Sequence, residues 1–311
     1  MAEPLALAAF ALDAAAGWPG PLYRRVGHPV GAFARGIAAC ERRWNRPHYA
    51  EGTRRALGVV TLLLLAGGST LIAWAVDAAI RYFAGAWAWP FLALAAWPAL
   101  AQRSLLEHYR PVLAALEQGD VAGARQSVSL IVGRDTAALD EPGVTRAAIE
   151  TLAESFCDGI AAPLFWLILL GLPGIWTFKA VSTADSLIGH PEQPLRAFGW
   201  ASARCDDALN LVPARLAGVL LCLAGGKGWR VLWCDHARHA SPNAGWPEAA
   251  MAGALNVRLA GPVSYQGRLQ DKAWIGNGPP PTTESMQKAE AIFVRACALL
   301  LLIAGGLAWV L

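Results

Sequence analysis

Four runs of uncharged residues constrain this chain more than any other feature of it. Residues 56–76 and 82–102 are each 21 residues long without a charge, 159–178 adds 20, and the tail after Arg295 adds 16. A helix needs about 20 apolar residues to cross a hydrocarbon core of about 30 Å. One such run fits the core helix of a large soluble protein, but three or four in a chain of 311 residues argue for a bilayer. Composition agrees: 16% of residues are charged and 55% hydrophobic, whereas a soluble domain carries charge on about a quarter of its residues. Two segments read as weaker membrane elements, 5–17 with Asp13 inside it and 209–226 with Arg215.

The expected membrane segments are thus approximately 5–17, 56–76, 84–102, 159–178, 209–226 and 293–311, with about four to six formed. Strand-like alternation is nearly absent, while Ala and Leu abound. The expected fold is all-α, a polytopic integral membrane helical bundle forming one domain over 1–311, with polar active-site loops and helices. Gly, Pro, Asn, Gln and Thr crowd 266–285, which reads as a loop.

Residues 17–55 hold eight Arg against two Glu, which predicts a cytoplasmic loop. No Lys or Arg precedes Arg24, so the start does not read as a secretory signal. The net charge of +3 says little globally, and no nucleic-acid partner is expected. The six Cys are scattered without a CxxC pair. Cys234, His236 and His239 come nearest to a metal cluster, but they read as ordinary polar residues.

Four polar constellations stand between the apolar runs. In Arg146-Ala-Ala-Ile-Glu150-Thr-Leu-Ala-Glu154-Ser-Phe-Cys-Asp158 the charges recur every fourth residue, so they stack on one helical face. Arg146 and Glu150 alone would make an ordinary surface ion pair. Three successive carboxylates repel one another unless a cation intervenes, and Mg²⁺ prefers such oxygens and brings phosphate with it. Asp158 also abuts a membrane-length run, where an idle charge is costly. Asp206, Asp207 and Asn210 place three oxygens on about one helical turn, although acids at a helix N-terminus would look the same. Gly133-Arg134-Asp135-Thr136 offers backbone N–H groups and a guanidinium to a phosphate, or simply a C-cap followed by an N-cap. Ser241-Pro-Asn243-Ala-Gly245-Trp246-Pro247-Glu248 reads as a rigid turn with Pro247 in a helix's first turn. Lys179 ends an apolar run, which snorkelling explains, whereas Asp185 stands among small uncharged residues. No Walker-type GxxxxGK[ST] occurs.

Five blocks, in order along nearly the whole chain, carry a resemblance. HPVGAFARGIAACERRWNRP (28–47), SLIVGRDTAALDEPGVTRAAIETLAESFCDGIAAPLFW (129–166), KAVSTADSLIGH (179–190), RAFGWASARCDDALNLVPAR (196–215) and HASPNAGWPEAAMAGAL (239–255) resemble the adenosylcobinamide-phosphate synthase family. These are the CbiB/CobD-type membrane proteins of cobalamin biosynthesis. The resemblance implies a multi-pass enzyme of the cell inner membrane, using ATP and Mg²⁺. It would join a corrinoid, cobyric acid, to (R)-1-amino-2-propanol phosphate or a related amino-alcohol phosphate. The lipid bilayer and other cobalamin-pathway membrane proteins are the expected partners.

A carboxylate is a poor electrophile, so activation to an acyl phosphate before amine attack is expected. That chemistry needs metal ligands, cations for phosphoryl charge and a base. The expected catalytic residues are Glu150, Glu154, Asp158, Lys179 and Asp185. Substrate and phosphate contacts are expected from His28, Arg35, Arg134, Asp135, Thr136, His190, Arg196, Arg204, Asn210, Arg215, Ser241, Asn243 and Glu248. Glu154, Asp158, Asp206 and Asp207 are the expected metal ligands, and Trp166, Trp200 and Trp246 are expected around the corrinoid. Two other classes compete. An intramembrane prenyl-type transferase would carry two Asp-rich repeats, and one is found. A transporter or sensory membrane protein would show internal symmetry, and none is visible.

A topology prediction follows from the phosphate-handling blocks flanking 159–178. ATP is cytoplasmic, so 159–226 should not behave as two simple spans joined by an external loop. Cysteine labelling should reach positions 186 and 241 from the cytoplasmic side; labelling of Ser186→Cys from the periplasmic side alone would contradict this.

Overall fold

A computed structural model describes residues 4–190, 192–265 and 267–310. Among the described residues are fifteen α-helices and four strands of two or three residues. The chain forms two compact units. Met1–Ala101, Ala162–Asn210 and Ala304–Leu311 make the first; Gln102–Ala161 and Leu211–Ile303 make the second. The sequence reads as one domain because the chain passes from unit to unit inside helical or apolar stretches, with no Pro/Ser-rich linker to mark a boundary.

The first unit is built around the 34-residue helix Glu51–Ala84, which contains the expected segment 56–76. Leu63, Leu71, Ile72, Trp74 and Phe83 on it are exposed; water would penalise such a surface and lipid would solvate it. Hydroxyl and indole groups tie the helix into its unit. Ser69 Oγ donates to the Trp176 carbonyl at 3.0 Å, Thr70 Oγ1 lies 2.6 Å from Thr177 Oγ1, and Trp176 Nε1 donates to the Ala95 carbonyl at 3.0 Å. Lipid supplies no hydrophobic drive between helices, so small and polar residues hold them together. Ile37, Leu62, Val181, Ala184, Ile188, Phe198 and Ala201 form the buried cluster. Gly58 lets the short helix Leu195–Phe198 approach the long one; a Cβ there would collide with the Phe198 carbonyl.

Three expected segments take a different form. The 84–102 stretch is not one helix. A 3-10 turn at Gly85–Trp87, a nine-residue helix Ala88–Ala96 and a second 3-10 turn at Trp97–Ala99 replace it. Gly85 has φ 53°, and Pro98 supplies no backbone N–H. The 159–178 run begins in a π turn at Cys157–Ala161 and breaks at Gly171 (φ 63°, ψ −151°), two residues before Pro173. The C-terminal helix, Thr283–Val310, starts ahead of the expected 293. Among the described residues three helical stretches, Glu51–Glu117, Glu141–Ile188 and Thr283–Trp309, are long and apolar enough to cross a membrane. The number rises to five if Leu5–Ala16 with Gly20–Trp44, and Trp200–Leu209 with Leu211–Gly225, are each one bent span.

The second unit gathers helices Gln102–Glu117, Val121–Ser129, Glu141–Phe156, Leu211–Gly225, Trp229–Asp235, Gly245–Leu255 and most of Thr283–Val310. Tyr109 OH donates to the Met286 carbonyl at 2.9 Å, and Phe156 meets Phe293 edge-on. Two antiparallel ribbons interrupt the all-α pattern: Leu259–Ala260 with Trp274–Ile275, and Val263–Tyr265 with Arg268–Gln270. Strands this short show no alternation, and the second strand of each falls inside the expected 266–285 loop.

Gly58→Ala should lower the midpoint of thermal unfolding in detergent. Overpacking costs about 1–3 kcal/mol, or roughly 2–4 °C per kcal/mol for a protein of this size class. Gly67→Ala on the same helix, where a Cβ meets nothing within 4 Å, should not lower it.

Candidate functional site

The polar residues of the second unit converge on Glu150, which is 4% exposed. Its Oε2 accepts from Arg134 Nη2 at 2.5 Å, its Oε1 accepts from the Ala260 backbone N–H at 2.6 Å, and Arg146 Nε stands 3.9 Å from Oε1. Glu150 and Arg146 are therefore not the surface pair that their spacing suggests: the carboxylate is buried and its close partner is Arg134. Burial works against the Arg134 charge, but the Glu150 carboxylate outweighs it and raises the guanidinium pKa. Asp135 next door pins the turn to a ribbon. Its Oδ2 accepts from Ser264 Oγ at 2.7 Å and Gly267 N at 2.8 Å, and its own N–H donates to the Ser264 carbonyl at 2.9 Å. Asp135 is thus not an N-cap; Asp140 caps Glu141–Phe156 through Gly143 N. The Thr136 carbonyl closes the intervening turn by accepting from Leu139 N.

Glu248 lies in the first turn of Gly245–Leu255, as Pro247 predicts, and is 4% exposed. Its Oε1 is 3.7 Å from His239 Nε2, and its Oε2 is buried without a hydrogen-bond partner among the described residues. Burial first, then the Glu150 and Glu154 carboxylates, push the Glu248 pKa well above the ordinary carboxylate range. His239 Nδ1 accepts from Ser241 N at 3.0 Å, so the neutral ring carries its proton on Nε2, facing Glu248. Burial and the charge of Lys272 lower the His239 pKa and keep the ring neutral.

The rest of the 241–248 turn is structural support. Ser241 Oγ accepts from Asn243 N and Ala244 N, and Asn243 Oδ1 accepts from Arg215 Nη1 at 2.9 Å. Arg215 covers the Trp246 ring from one side, and His236 stacks on that ring with centroids 4.0 Å apart. Cys234 is exposed.

Along Glu141–Phe156 the carboxylate stripe runs from buried Glu150 to exposed Glu154. It does not continue evenly to Asp158, because the π turn at Cys157–Ala161 replaces four-residue with five-residue bonding. Among the described residues no group of three or more His, Cys, Asp or Glu is arranged to hold a metal ion. The expected ligands divide between units, Glu154 and Asp158 in the second, Asp206 and Asp207 in the first.

The first unit has its own polar group. Asp185 is within electrostatic reach of Asp207, His190 and Arg204. Arg204 Nη2 pairs with Asp207 Oδ2 at 2.8 Å, and Asp206 Oδ2 accepts from Asn210 Nδ2 at 3.0 Å. His28 caps helix Pro29–Trp44 by accepting from Val30 N and lies within electrostatic reach of Lys179. Arg35 and Arg196 are exposed. Trp166 Nε1 donates to the Leu209 carbonyl, and Arg55 covers Trp200.

Sequence reasoning passed over Lys272, Arg258 and the Ala260 N–H, which lie in or beside the ribbons. It read His239 as an ordinary polar residue. No local pattern marks any of them.

The family model described as CobD/Cbib protein matches residues 6–293. The Cobalamin biosynthesis protein CobD of Rhodobacter capsulatus is 47% identical over 304 residues, covering 96% of this chain and 94% of that protein. The proteins of the same name from Sinorhizobium sp. and Rhizobium meliloti (strain 1021) are 45% and 40% identical, each covering 94% of this chain and 94% and 92% of their own lengths. No solved structure matches the chain.

The raised pKa of Glu248 has a consequence for stability. The folded state holds this proton more tightly than the unfolded state, so stability falls as pH rises above the unfolded value of about 4.3. Glu248→Gln removes that ionisation. Its unfolding midpoint should exceed that of the parent at pH 8, by about 2–4 °C for each kcal/mol relieved, and the gap should close toward pH 4.5. A gap that widens on acidification would show that Glu248 is charged and paired.

Proposed function

The chain belongs to the CobD/CbiB family of cobalamin biosynthesis proteins, and we propose that it catalyses ATP-dependent amide bond formation within that pathway. The reaction converts (adenosyl)cobyric acid to (adenosyl)cobinamide phosphate with (R)-1-amino-2-propanol phosphate or a related amino alcohol, in the cell inner membrane. The observation that carries this reading is the buried, unpartnered Oε2 of Glu248 beside neutral His239 and the Arg134–Glu150 pair. An unsatisfied carboxylate oxygen in a buried site calls for a ligand or a proton.

A corrinoid carboxylate oxygen takes the terminal phosphoryl group of ATP, and ADP leaves. The amine nitrogen attacks the acyl carbon, the carbon–oxygen bond to phosphate breaks, and phosphate leaves. The ammonium form of the amine gives one proton to solvent to become nucleophilic, and Glu248 Oε2 is placed to take the second from the attacking nitrogen and pass it to the departing phosphate. A carboxylate made more basic by burial suits that task. Arg134, held by Glu150, faces phosphoryl or carboxylate charge. His239 Nε2–H faces the second Glu248 oxygen at 3.7 Å.

Mg²⁺ needs only one or two protein carboxylates when it sits on substrate phosphates, so it does not require a three-carboxylate cluster, and none is found among the described residues. Glu154, exposed and within electrostatic reach of Glu248, would hold it, and the ion would neutralise phosphoryl charge. Within the first unit, taken by itself, Asp185, Lys179, Arg204 and Asp207 are proposed for phosphate and metal contacts.

Two measurements test the reaction. Hydroxylamine should trap a corrinoid hydroxamate when the amino-alcohol phosphate is omitted, with ADP and phosphate as products; AMP and pyrophosphate would mean an adenylate instead. Glu248→Gln should lower kcat by about 10²–10⁴-fold and abolish the rise of kcat/KM with pH that deprotonation of Glu248 produces. Parent-like turnover in this variant would remove Glu248 from the mechanism.

A further inference from the structure

Cations gather around the two ribbons of the second unit. The Arg146 guanidinium carbon lies 5.0 Å from the centroid of the Trp274 ring, and that of Arg258 lies 4.8 Å from the same centroid. Arg134 and Arg258 both bear electrostatically on Arg146. One carboxylate, Glu150, contacts two of these guanidinium groups, tightly at Arg134 and loosely at Arg146. Arg146 Nε is buried with no hydrogen-bond partner among the described residues, although Arg146 Nη2 donates to the Pro262 carbonyl at 3.2 Å. Lys272 lies 3.4 Å from Tyr265 OH, over that ring, and its charge reaches Glu248 and His239.

Like charges in one neighbourhood repel, and more strongly at a protein surface than in open water. The aromatic faces hold the cations in place, but they contribute no net negative charge. An anion would. One phosphate presents its three strong acceptor oxygens at a single point. Three guanidinium groups and an ammonium, spread from the Gly133–Thr136 turn across both ribbons, match oxygens strung along a chain.

We infer that Arg146, Arg258 and Lys272, together with Arg134, form a cradle for the polyphosphate chain of a nucleoside triphosphate. The inference rests on the ATP-dependent reading above and assigns its phosphate subsite to residues of the ribbons rather than to a glycine-rich loop. Exposed Arg258 and Trp274 leave the cradle open to solvent.

The test uses the full chain purified in detergent. In the parent protein, inorganic tripolyphosphate should displace labelled ATP in equilibrium dialysis. Arg258→Met and Lys272→Met keep side-chain length and should each weaken ATP and tripolyphosphate binding about tenfold, with Lys272→Arg restoring it. The KM for ATP should rise in step while those for the corrinoid and the amino-alcohol phosphate stay fixed. Failure of tripolyphosphate to compete in the parent, or an unchanged KM for ATP in both Met variants, would overturn the cradle even with amide synthesis intact. A rise confined to the KM for the amino-alcohol phosphate would also overturn it, by assigning the cations to a monophosphate. If tripolyphosphate binds in a Lys272-dependent way but no ATP-dependent amide forms, the cradle stands and the proposed reaction fails.

Discussion

The second unit depends on one buried carboxylate. Glu150 joins three segments far apart in sequence: the turn carrying Arg134, its own helix, and the ribbon that begins at Leu259. An isolated ion in such a place costs several kcal/mol in lost hydration. Here one oxygen takes a charge-assisted bond and the other a backbone N–H, so neither is left bare. Against a hydrophobic replacement such a pair adds little net stability. Its contribution is position: the guanidinium and the ribbon can be satisfied only where Glu150 is, and Asp135 then locks the same turn to the second ribbon.

That arrangement separates two acids by environment. Glu150 has partners for both oxygens; Glu248, equally buried, has a neutral imidazole at 3.7 Å from one oxygen and no hydrogen-bond partner on the other among the described residues. The Glu150 charge makes ionisation of Glu248 harder still. Two glutamates of one unit thus sit in different environments, one paired on both oxygens and one not, which is how a protein separates an anchor from a proton carrier.

How much of this was legible in the sequence follows from the range of each interaction. The apolar runs could be read because the bilayer demand acts on contiguous residues, and the helix at Gly245–Leu255 because Pro247 is a local signal. The breaks at Gly85, Pro98 and Gly171 also had local signals, but a count of missing charges takes no notice of backbone geometry. The π turn had none, so the even spacing of Glu150, Glu154 and Asp158 promised a continuous stripe that the backbone does not keep. Arg134 and Glu248 stood out by motif. Lys272, Arg258 and the Ala260 N–H did not, since their roles come from contacts made across the fold: Glu150 and Ala260 are 110 positions apart. Periodicity reports what a residue's neighbours in the chain do, and a site assembled from a turn, two helices and two ribbons is invisible to it.

An unpartnered carboxylate oxygen and crowded guanidinium groups both lower stability, so something must hold them where they are. Part of the restraint is a glycine. A Cβ at Gly245 would collide with the His236 carbonyl and lie 2.9 Å from His239 Cβ. The helix bearing Glu248 therefore begins against the very segment that presents His239, and no larger residue allows that approach. Ser241 closes the turn between them through Asn243 N and Ala244 N, and Arg215 fastens Asn243 from a neighbouring helix. Backbone contact and buried hydrogen bonds thus fix Glu248 before any ligand arrives, so binding need not order the side chain as well. A site prepared in this way gives up stability while empty and recovers it as stronger interaction with charge that develops during reaction.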